Sequence, residues 1–252
     1  MFSNQPMVSK LLSEADGYTH EQAASLYVDH VEGYPTLEKN CLLVGPLGSG
    51  KTIMLKAVYS QHAKSSDYRP VFVELSRWIG HIAAETHTYG ANQLTPRGKV
   101  MLDAMSLMII VGLCESAGAF DNANRFPTLW SQFPQTLSSL DNVERRTRLI
   151  RISKNALLKN ELEDDFPSVH SVASALGSDI RVDQGKKLVL LVDQVDQVAS
   201  QFFPPIASLL KRSGDFISVL ATRPCPTAPH PEITPPDVIS GDSYSILHDG
   251  RH

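Results

Sequence analysis

Short apolar runs set the frame of the chain. Residues 41–45 read as a first strand, and residues 69–76, rich in β-branched and aromatic side chains, as a second. Lys186–Asp193 and Phe216–Arg223 are continuous apolar runs that end in polar residues, the pattern of parallel strands buried on both faces. A weaker run, residues 243–247, suits an edge strand. Helical spacing is expected over residues 8–30, where Thr19 and Gln22 have the spacing of a capping box, and again from about Gly50 to His62. The long stretch 77–186 is mostly helical in pattern. It holds a core-type helix over 97–118 and a second candidate from Leu140 to Glu163. Six prolines between Pro224 and Pro236 make the segment 224–242 irregular and extended.

Composition narrows this picture only modestly. The 252 residues, 42% hydrophobic and 20% charged, suit one α/β domain over 1–252. Within it, 1–40 forms a helical lead-in and 77–186 a helical insertion. A formal net charge of −4 gives no reason to expect the whole surface to grip nucleic acid. Cys41, Cys114 and Cys225 fit neither a disulfide framework nor a zinc site. With no secretory pattern at Met1–Pro6, a cytoplasmic location is expected. The longest apolar run, Val100–Cys114, carries Asp103 and falls short of the ~20 residues of a bilayer span, so a buried helix rather than a membrane anchor is expected.

The chemistry concentrates where the first strand ends. Gly45-Pro46-Leu47-Gly48-Ser49-Gly50-Lys51-Thr52 fits G-x-x-x-x-G-K-[ST] in full. Glycines let backbone N–H groups approach phosphate oxygens, and the positive end of the following helix favours the same anion. Lys51 is placed to bridge the β- and γ-phosphates of ATP, and Thr52 to put its hydroxyl on Mg²⁺. A Gly-rich turn without a ligand is the plainer alternative. The apolar flanks, Leu42–Val44 before and Ile53–Val58 after, favour phosphate.

Three further positions complete the candidate site. Asp193 ends an apolar strand and suits the carboxylate that orders water on Mg²⁺. Gln194 follows it; an amide cannot take a proton at neutral pH but can orient a water. Asp196 is the nearest other carboxylate along the chain. Thr222 and Arg223 end the last buried strand, where they can sense or contact a γ-phosphate; local pairing of Arg223 is the alternative.

Taken together, the phosphate loop, the strand ending in Asp193 and Ala221-Thr222-Arg223-Pro224 resemble the AAA+ and STAND branches of P-loop NTPases. Ala23–Val28 followed by Asn40–Thr52 is similar to bacterial ATPases related to the origin-recognition initiators, proteins often linked to phage defence. The resemblance implies a three-layer P-loop sandwich with a mainly parallel, five-stranded sheet. The strand ending at Arg223 should then lie between those ending at Gly45 and Asp193. In hydrolytic relatives a glutamate commonly stands where this chain has Gln194. Little chain follows the last strand, so the helical lid and winged-helix domain of initiators are not expected.

The leading expectation is an Mg²⁺-dependent ATP-binding protein with weak or conditional hydrolysis. It would act as a regulatory or assembly subunit with a protein partner or a second copy of itself, with ATP and ADP as its ligands. A DNA-associated initiator-like module is the alternative, using the basic run Arg145, Arg146, Arg148, Arg151, Lys154 and Lys159 on nucleic acid. The same run would also suit a solvated helix face, or an arginine reaching a neighbouring subunit's phosphate. A structural subunit with permanently bound nucleotide is the third reading.

Overall fold

A computed structural model describes residues 17–26, 39–44, 50–80, 82, 95–159, 161–162, 166–195, 204–222 and 244–248. The amino-terminal part holds α1 (His20–Leu26), β1 (Asn40–Val44), α2 (Lys51–Ala63) and β2 (Tyr68–Glu74). Among the described residues that follow are α3 (Pro96–Ser116), the short α4 (Pro127–Trp130) and α5 (Gln135–Ser138), then α6 (Asn142–Lys159) and α7 (Val169–Gln184). The chain closes with β3 (Lys187–Asp193), α8 (Pro204–Ala207), β4 (Phe216–Thr222) and β5 (Tyr244–His248).

The result is an α/β fold on a four-stranded parallel sheet in the order β2-β3-β4-β1, with β5 paired in parallel along the outer edge of β1. β4 lies between β1 and β3, as the order of the motif-bearing strands predicts. Parallel neighbours that are distant in sequence require crossover helices, and these divide between the two faces.

The faces are packed by opposite parities of the same strands. Leu42, Val71, Val73, Leu188, Leu190, Val192 and Leu220 join the core built by α3 and α7. Cys41, Leu43, Val189, Leu191, Val219 and Ala221 pack instead against Met54, Leu55 and Val58 of α2. This is the two-residue period of strands covered on both sides.

Local chemistry explains the element ends. The capping box is formed: Thr19 N–H donates to Gln22 Oε1 at 2.9 Å and Gln22 N–H to Thr19 Oγ1 at 3.2 Å. Thr95 caps α3, its Oγ1 accepting from Gly98 N–H at 3.0 Å, with Pro96 in the first turn. Gly185 ends α7 in the left-handed region at φ 68°, and its N–H donates to Arg181 O at 2.8 Å. At the amino edge of the sheet, buried Asn40 donates from Nδ2 to Leu210 O and Lys211 O, and its Oδ1 accepts from Ser218 N–H at 2.9 Å. One side chain thereby ties β1 and β4 to the turn that precedes β4.

The basic run does not form one surface. Arg145 is buried and donates to Leu137 O, Ser138 O and Leu140 O at 2.7–3.1 Å, with its guanidinium 4.2 Å from the centre of the Trp130 ring. Arg146 pairs with Glu115 at 2.7 Å. Arg148, Arg151, Lys154 and Lys159 remain on the exposed face of α6.

Candidate functional site

Of the site residues singled out by the sequence, Gly50, Lys51, Thr52, Asp193, Gln194 and Thr222 are described, and they lie at the carboxyl edge of the sheet. Gly45, Pro46, Leu47, Gly48 and Ser49 lie outside the described residues, as do Arg223, Asp196 and Cys225. The end of the loop is described. Gly50 precedes α2 at φ 86° and ψ 9°, and a methyl group there would meet nothing within 4 Å. Its need for glycine is therefore conformational rather than spatial. Lys51 and Thr52 open α2, half-buried, and Met54 N–H donates back to Gly50 O at 2.9 Å to start the helical ladder.

Asp193 ends β3 and is only 3% exposed. It stands two residues beyond Leu191, which packs on the α2 side, so strand alternation brings its carboxylate to the face that α2 covers. Asp193 and the helix that Lys51 and Thr52 open thus lie on one side of the sheet. Thr222 is level with Val44 at the same edge, but by alternation it shares the face of Leu220 rather than that of Asp193.

Gln194 is the informative neighbour. Among the described residues it is the only non-glycine with positive φ, at 60°, a conformation that costs about 1–3 kcal/mol when local structure enforces it. The turn sends its N–H to Asp193 Oδ1 at 2.9 Å and its amide Nε2 to Glu74 Oε1 at 3.4 Å. Glu74, the last residue of β2, is the direct register partner of Asp193. Ser76 Oγ reaches the same Glu74 oxygen at 3.5 Å.

Reasoning from sequence passed over Glu74 and looked further along the chain, to Asp196. A signal was available: β2 alternates Val71 and Val73 against Phe72 and Glu74, so it ends in a carboxylate just as β3 does.

Behind the edge, the α2 face is lined by rings. His20 stacks on Tyr59 with centroids 4.0 Å apart and meets Phe72 edge-on at 5.4 Å; His62 meets Tyr68 edge-on at 5.4 Å. Burial, and for His20 also the charge of Lys56, lowers the pKa of both imidazoles below the ordinary 6.5. Lys56 itself donates to Tyr18 O at 2.9 Å, fastening α2 to the residues that precede α1. Burial pushes the Cys41 thiol up to about 11 and raises that of Cys114 further, so both stay protonated and unreactive.

Among the described residues, no group of three or more His, Cys, Asp or Glu side chains is gathered as metal ligands, and no helix is long and apolar enough to cross a membrane. No protein-family model matches the chain, and comparisons with curated proteins and with solved structures give no match either.

Proposed function

We propose that the chain is an ATP-binding P-loop protein of AAA+-like organisation. Its sheet would then be the five-stranded, three-layer form, and its nucleotide would control assembly with a protein partner or a second copy. One observation carries the reading. The complete phosphate-loop pattern ends in a left-handed Gly50 and opens α2 with Lys51 and Thr52, on the sheet face that receives the carboxylate of Asp193.

Each residue has a defined task in this reading. Backbone N–H groups of 45–50 and the amino end of α2 hold the phosphates, and Lys51 neutralises charge at the β- and γ-phosphates. Mg²⁺ is a hard, oxygen-seeking ion that neutralises phosphate charge. It needs few protein ligands, and the Thr52 hydroxyl and the Asp193 carboxylate would hold it here. Arg223, the residue after the strand between β1 and β3, responds to the γ-phosphate, whereas Thr222 lies on the face away from Asp193. Hydrolysis is conditional, because the residue after Asp193 is an amide. A cytoplasmic setting and a role in antiviral defence belong to the same proposal.

Extraction of the purified chain tests it. An adenine nucleotide should be recovered or, after stripping, MgATP should rebind; failure of both overturns the reading.

A DNA-associated module is the second reading, favoured by the exposed side chains of Arg148, Arg151 and Lys154 on one helix. With Arg145 and Arg146 committed to internal contacts, few phosphate contacts remain. Any DNA affinity should therefore show a shallow salt slope, and a steep one would revive this reading.

A further inference from the structure

We propose that Glu74, on β2, is the water-activating carboxylate of this site, with Gln194 as the amide that orients the same water. The inference rests on the ATP reading above and assigns the group that the residue after Asp193 cannot supply.

The argument is positional. Hydrolysis needs an acceptor for the proton of the attacking water, and an amide at neutral pH is not one. Glu74 and Asp193 are register partners on adjacent parallel strands. Phe72 and Leu191, two residues earlier on each strand, both pack on the α2 side. Alternation therefore brings both carboxylates to the carboxyl edge of the face where α2 begins. The two are not equivalent. Asp193 is buried, with Oδ1 accepting the Gln194 N–H, whereas Glu74 is half-buried and nearer solvent.

Gln194 links them, and its backbone is bent to do so. Continuing β3 in regular geometry would turn residue 194 to the opposite face. At φ 60° the chain leaves the strand instead, and the amide comes within 3.4 Å of Glu74 Oε1. Strain of this kind persists where the surroundings enforce it, which is common at ligand sites. With Nε2 turned to Glu74, the amide oxygen of Gln194 remains an acceptor suited to a water proton. Ser76 Oγ, at 3.5 Å from the same carboxylate oxygen, is a second neutral donor that keeps Glu74 aimed without neutralising it.

In the step itself, the water oxygen forms a bond to the γ-phosphorus as the bond from that phosphorus to the β–γ bridging oxygen breaks. The bond's electron pair leaves with ADP. The water proton passes to the Glu74 carboxylate, which then releases it to solvent.

Single-turnover hydrolysis by the full chain with MgATP, read beside calorimetric affinity and thermal melting, tests the assignment. Glu74→Gln should lower the rate on the order of 10²–10⁴-fold, with kcat falling and affinity and melting nearly unchanged. Gln194→Glu alone should give no substantial gain, because it crowds three carboxylates around one water. The exchange variant E74Q/Q194E should recover at least about tenfold of the loss. Two outcomes overturn the assignment: a parent that binds ATP yet turns it over no faster than Glu74→Gln, or an exchange variant that recovers nothing. If the parent binds no MgATP at all, the nucleotide reading fails first and takes this inference with it.

Discussion

The two faces of the sheet differ in what they spend their residues on. On one, α3, α6 and α7 build a deep core from long apolar side chains. Several of its buried polar groups are tied down. Arg145 feeds three carbonyls, Asp179 accepts the Thr128 and Leu129 N–H groups that open α4, and Ser153 donates to Ala104 O. On the other, α2 covers a smaller cluster bordered by partly buried Tyr59, Tyr68 and Phe72, where His20 stacks on Tyr59 and His62 meets Tyr68 edge-on. The difference separates roles. The thick face supplies stability, and the thin face, bounded by the phosphate-loop helix and the carboxyl edge, carries the proposed chemistry. Low local stability is the usual condition of segments that bind and release ligands.

The largest test of this contrast lies on the thick face. Arg145→Ala should cost at least about 3 kcal/mol, because three carbonyls lose a charged donor and the Trp130 ring loses its cation. Urea denaturation measures this, and the fraction that stays folded should keep the parent's MgATP affinity. A variant that retained its stability but lost ATP would reverse the assignment of roles.

Gly177→Ala should cost about 1–3 kcal/mol. A methyl group at Gly177 would lie 2.4 Å from the backbone oxygen of Asp215, so α7 and the start of β4 would have to separate. The unfolding midpoint should fall with no change in the denaturant slope. The Gly50 position, which has open space, marks the difference between a packing glycine and a conformational one.

The smallest effect is the acid response of the thin face. Folding lowers the His20 and His62 pKa values below 6.5, so the neutral imidazoles belong to the folded state. Their contribution to stability is intact above pH 6.5 and is lost as pH falls from there towards the lowered values. The protection factors of amides in α1 and α2, which compare exchange with its intrinsic rate at each pH, should fall between pH 7 and 5.5 more than those in α7. His20→Phe, which keeps a ring against Tyr59, should blunt that change. An equal loss of protection on both faces would contradict the contrast.

What could be read in advance follows from the range of the interactions. The capping box at Thr19–Gln22, the start of α2 at Lys51 and the four core strands rest on neighbours within a few residues, and all are legible. The position of β4 between β1 and β3 follows from motif order and crossover handedness. Glu74 was missed because its importance arises from register with a residue 119 positions away (193 − 74). Arg145 belongs by charge to the basic run but by helical period to the core. Arg145, Leu149, Ser153 and Ala156 form one buried helical stripe, which spacing alone would have revealed. The left-handed turn at Gln194 has no local signal, since glutamine rarely adopts it.

The central claim is that the segment from Gly45 to Thr52 and Asp193 together hold a nucleotide on the thin face. Calorimetric titration of MgATP into the parent and into Lys51→Ala tests it most directly. The parent should bind, and the variant should show no measurable binding while melting within about 0.5 kcal/mol of the parent, because Lys51 lies at the rim rather than in the core. Equal affinity in the two proteins would contradict the account.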